Sequence, residues 1–71
     1  MNNMKPLDAL NGMVGNQVLV RLKNGMDVSG TLKAFDIHIN VVLDDAEYTE
    51  DDVKKKVKTL FVRGDMILFV S

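Results

Sequence analysis

Cysteine and tryptophan are missing from this sequence, and histidine, proline and tyrosine occur once each. Without cysteine there are no disulfides and no thiolate metal sites, and a single histidine supplies no ligand set for a transition metal. No cofactor is expected. The lack of cysteine fits a reducing, cytoplasmic setting. Long apolar runs are also missing: nothing approaches the roughly 20 residues that span a bilayer, so no membrane contact is expected. Met1 to Pro6 lacks the apolar segment of a signal peptide. Nor is there an excess of one charge, since nine Lys and Arg stand against ten Asp and Glu, for a formal net charge of −1. General nucleic-acid binders are basic, so any contact with nucleic acid has to come from a local cluster of groups.

What is present is a short chain rich in apolar residues. Its 71 residues, 46% of them hydrophobic, make one domain over 1–71. A chain of this size buries only about 60% of the surface its unfolded form exposes, so its own core is marginal. With disulfides and metals excluded, self-association is the remaining stabiliser.

The pattern along the chain predicts an all-β fold behind a short N-terminal helix. Pro6 suits a first helical turn, Leu7 and Leu10 share a face, and Gly12 can end the helix, giving about 6–12. Strands are predicted at about 17–23, 27–36, 39–49, 54–63 and 66–70. Asn24-Gly25 reads as a tight hairpin with positive φ at both positions. Gly30, inside the second strand, predicts a sharp bend or a close backbone approach. Glu50-Asp51-Asp52 and Lys54-Lys55-Lys56 read as a solvated hairpin tip with acid facing base. The last two strands are apolar on both faces (Leu60-Phe61-Val62 and Met66 to Val70). Bare edges of this kind invite aggregation, and head-to-tail pairing between identical subunits resolves them, closing into a ring where the rotation permits.

Two stretches concentrate polar chemistry. Phe35-Asp36-Ile37-His38-Ile39-Asn40 sets a carboxylate, an imidazole and a carboxamide at alternate positions, which on an extended strand or its terminal bend face one way. Val62-Arg63-Gly64-Asp65 adds a guanidinium and a carboxylate around a turn glycine. A flat imidazole, a flat guanidinium and an amide able to read a base edge are suited to an unpaired nucleobase.

These residues resemble the Sm and Sm-like (LSm) family, its archaeal members most closely. The first motif is matched by Val18, Val20, Leu22, Gly25, Val28, Gly30, Leu32, Phe35, Asp36, Ile39 and Asn40, and the second by Val57, Val62, Arg63, Gly64 and Asp65. The resemblance implies a strongly bent, five-stranded antiparallel small open barrel. It also implies pairing of strand four with strand five of the next subunit, in rings of seven or six that hold uridine-rich single-stranded RNA at the pore. Carried onto this chain, His38 and Arg63 would sandwich a base and Asn40 would bond its edge. Asp36 would orient Asn40, Asp65 would support that loop, and Phe35 would offer a second stacking surface. The sequence lacks the Lys-His signature of the Hfq branch.

The leading expectation is thus a non-enzymatic RNA-binding ring, a scaffold or chaperone in RNA processing. The alternative is a purely structural ring or tube with a protein-interaction role. An enzyme built on His38 and Asp36 has no nucleophile motif, metal set or phosphate loop beside it. A peptide-binding groove would want more aromatics than three phenylalanines and one tyrosine.

Overall fold

The computed structural model describes residues 4–71; residues 1–3, the start of the expected domain, lie outside the described residues. Helix α1 (Pro6–Asn11) opens with proline in its first turn, and the Asp8 carboxylate accepts the Lys5 backbone N–H at 3.2 Å. It buries Leu10 against the sheet and leaves its other residues to solvent. Five strands follow: β1 (Gln17–Leu22), β2 (Asp27–Phe35), β3 (Val41–Glu50), β4 (Val53–Val62) and β5 (Ile67–Val70), with a 3-10 turn at Gly64–Met66. They form one antiparallel sheet in the order β4-β3-β2-β1-β5.

Period-two alternation sets the core. Val18 and Val20 on β1, Val28 and Leu32 on β2, and Val41 and Leu43 on β3 point inward and are buried. The sheet wraps around them because its ladders slip. The β2–β3 register shifts between Ser29 and Thr31, opposite the Asp45 bulge, where φ is +50°. Gly30 sits at that shift. A Cβ there would lie 3.0 Å from the Asp44 carbonyl oxygen and 3.2 Å from the Ala46 Cα, so the close approach expected of this glycine is present.

Three boundaries and turns differ from the sequence reading. The third strand starts at Val41 rather than 39, because residues 36–40 form a turn. The fifth starts at Ile67, because Gly64–Met66 form the 3-10 turn. At Asn24-Gly25 only the glycine has positive φ (+89°). Gly25 N–H donates to Leu22 O and Leu22 N–H to Met26 O, which makes a three-residue loop with a glycine bulge. The two-residue turn with positive φ at both positions is at the β3–β4 tip instead, Asp51 (+52°) and Asp52 (+63°). Acid meets base beside that tip as expected: Glu47 pairs with Lys54 and Lys56, and Glu50 with Lys55.

Strands β4 and β5 are the two edges, and within the protomer they do not pair. The barrel is therefore open. Phe61 on β4 and Leu68 and Phe69 on β5 are exposed along these edges.

Candidate nucleic-acid interface

The turn after β2 is built by one carboxylate. Asp36 Oδ1 accepts the backbone N–H of His38 at 2.8 Å and of Asn40 at 3.2 Å, and Oδ2 accepts Asn40 Nδ2–H at 3.0 Å. The Asp36 and Asn40 backbones close the turn at 3.1 Å. This is the local side-chain-to-backbone bonding that lets aspartate compete with strand structure. The Asn40 carboxamide donates to Asp36, two backbone N–H groups add to it, and these bonds hold the Asp36 carboxyl below the usual aspartate range. The turn, not strand alternation, thus brings Asp36, His38 and Asn40 together.

Ile39 has φ +62°, a left-handed conformation that a β-branched side chain strongly disfavours. Its side chain packs against the core, and its N–H donates to Asp36 O at 3.0 Å. Surrounding contacts fix the strained residue, which presents the preceding His38 to solvent.

The second loop docks on the first through a glycine. Asn40 Oδ1 accepts the Gly64 backbone N–H at 2.7 Å. A Cβ on Gly64 would overlap the His38 carbonyl oxygen and lie 2.9 Å from the Ile39 carbonyl carbon. Only glycine lets the backbones come this close. The contact carries Arg63 and Asp65 alongside His38 and Asn40. Arg63 Nη2 and Asp65 Oδ2 form an ion pair at 3.0 Å, with both side chains largely exposed. Asp65 thus meets the Arg63 guanidinium, and the support for the 36–40 loop comes from Gly64 N–H. Phe35 is half-buried and packs against the core at the end of β2.

After these bonds Asn40 retains one Nδ2–H and one Oδ1 lone pair. The exposed set is therefore a donor–acceptor pair flanked by an imidazole and a guanidinium. That set can hold and read a planar ring with adjacent carbonyl and N–H groups.

Residues 8–71 match the LSM domain family. The chain belongs to the LSM family. An snRNP Sm-like protein of Archaeoglobus fulgidus is 47% identical over 68 residues, 94% of this chain and 88% of that one. The Sm-like protein heptamer of P. aerophilum superimposes with a TM-score of 0.88 at 37% identity, covering 99% of this chain and 95% of that one. The Sm protein of Pyrococcus abyssi, solved in complex with a uridine heptamer, superimposes with a TM-score of 0.87 at 40% identity, covering 96% and 97%. Among the described residues of this LSM domain, no helix is long and apolar enough to cross a membrane.

Sequence reasoning missed two features. The strain at Ile39 has no residue-type signal, because isoleucine is disfavoured where it sits. The docking role of Gly64 requires knowing that two loops 24 residues apart meet.

Proposed function

We propose that this chain is a non-enzymatic RNA-binding protein that assembles as a homo-heptameric ring and holds uridine-rich single-stranded RNA at the pore. The observation that carries the reading is the Asp36–Asn40–Gly64 bond chain, which sets His38, Asn40 and Arg63 side by side and exposed. His38 and Arg63 clamp a base between planar groups. The spare donor and acceptor of Asn40 pair with a uracil carbonyl and N–H. Stacking is worth roughly 1–3 kcal/mol per base, so one protomer binds weakly, and a ring presenting several copies makes successive contacts intramolecular.

Assembly follows from the edges: unpaired β4 and β5 lie on opposite sides of one molecule and carry exposed apolar side chains. Pairing β4 of one protomer with β5 of the next is head-to-tail and closes by rotation. The heptamer of the P. aerophilum relative and the uridine heptamer bound by the P. abyssi protein support both parts of the reading. The further role is that of a cytoplasmic scaffold or chaperone in RNA processing. A purely structural ring accounts for the edges but leaves the exposed polar cluster without a purpose.

The test is oligouridine binding by the double variant His38→Ala/Arg63→Ala. Losing two stacking faces lowers affinity by at least about tenfold while the ring persists, and wild type prefers oligouridine over oligocytidine and oligoadenine. Unchanged affinity in the double variant, or equal affinity for the three homopolymers, removes the proposed site.

A further inference from the structure

We propose that the groove beside the base-reading loops is closed by Leu68 of a second copy of this chain, so that the RNA site is complete only in the assembly. The inference rests on the ring reading above and adds a contact and a coupling to it.

The groove is an apolar row on the outward face of the sheet. Ala34 on β2 pairs in register with Val42 on β3, and Val42 with Phe61 on β4. The row ends at the free edge with Phe61, 77% exposed. The concavity above it holds about 490 Å³ and is walled on its polar side by Asp36, Asn40 and Arg63. The apolar floor and the base-reading groups therefore share one cleft.

The complementary knob stands on the opposite edge. Arg21 on β1 pairs with Phe69 on β5, and Leu22 with Ile67, so Leu68 is an extra, unpaired residue. Such a bulge redirects its side chain out of the ladder, and Leu68 is 62% exposed. Its neighbour Phe69 is already engaged, with the Arg21 guanidinium 5.3 Å from the ring centroid. Asp27 in turn holds that guanidinium through bonds of 2.7 and 2.8 Å. Leu68 is thus the free apolar projection of a braced strand.

A second copy is the occupant because knob and groove lie on the two unpaired edges of the same sheet. A β5 strand added to β4 carries Leu68 to the rim on which Phe61 ends. The heptamer formed by the P. aerophilum relative shows that this fold assembles with itself. Filling the cleft removes water from one side of Asn40 and Arg63. Hydrogen bonds in a drier site are stronger, so ring closure raises the affinity of each individual site for a base, separately from any gain by multivalency.

The test compares wild type with Leu68→Glu, a change at an exposed position, and with the charge-paired double variant Leu68→Glu/Val42→Lys. Assembly is followed by native mass spectrometry, and per-site affinity by NMR titration with uridine monophosphate, which has no avidity. Circular dichroism checks folding. Leu68→Glu is expected to disperse the ring and weaken uridine monophosphate binding by about fivefold or more, with the double variant restoring both. Three results overturn the proposal: an intact ring in Leu68→Glu, a dispersed ring with unchanged nucleotide affinity, or a double variant that restores neither. If wild-type rings bind oligouridine while Leu68→Glu behaves as wild type, only the proposed contact fails. If wild-type rings bind no oligouridine, the functional reading fails and takes the coupling with it.

Discussion

Asn40 and Gly64 show how much of the site depends on backbone. The Asn40 carboxamide spends one donor on Asp36 and one lone pair on Gly64 N–H, and what remains faces outward. Gly64→Ala would push a methyl group into the His38–Ile39 peptide, which cannot yield without unwinding a turn held by Asp36. We expect a loss of about 1–3 kcal/mol in thermal unfolding experiments, together with weaker oligouridine binding. Near-wild-type melting would show that the loops do not dock through this glycine. Asp36 makes the same turn sensitive to acid. Its carboxyl titrates below the ordinary aspartate value of about 4. The stabilisation it gives is complete above that value and is lost as pH falls through the lowered native value. A carboxyl-carbon NMR titration reads this directly, and a midpoint at or above the ordinary value would contradict the bonding described.

Turns mark where elements were and were not legible in the sequence. Alternating valines, two glycine-marked turns and an apolar C-terminal run identified the helix and all five strands, because period-two burial is written in residue type. The ends were less legible where polar side chains compete with the ladder. Asp36 captures two backbone N–H groups and turns residues 36–40 out of the strand that their alternation suggests. The Asp36, His38 and Asn40 constellation was therefore found through a pattern whose geometry differs from the one observed. Arg63 was placed with it through family resemblance, since no local rule predicts the contact across 24 residues. The turn chemistry was also displaced: both left-handed positions fall on Asp51 and Asp52, while the Asn24-Gly25 loop uses only one. Asp52→Gly should relieve a disfavoured φ of +63° at an exposed tip and stabilise the protein by about 1 kcal/mol. A lower melting temperature in this variant would mean that the Asp52 side chain makes a compensating contact.

The whole molecule joins two requirements. A 71-residue chain with no disulfide has a small core around Val20, Leu32 and Leu43 and leaves two apolar edges open. Edge pairing between copies covers that surface, and the same closure gathers weak single-base sites into one array. Stability and function then share an interface, and a formal net charge of −1 is no obstacle, because recognition rests on stacking and on one amide per protomer. Native mass spectrometry of the wild-type chain, with and without oligouridine, tests this most directly. The account predicts a closed assembly of seven protomers, the number in the P. aerophilum relative, that gains the mass of bound oligouridine. A monomer at micromolar concentration, or a ring that takes up no oligouridine, would contradict it.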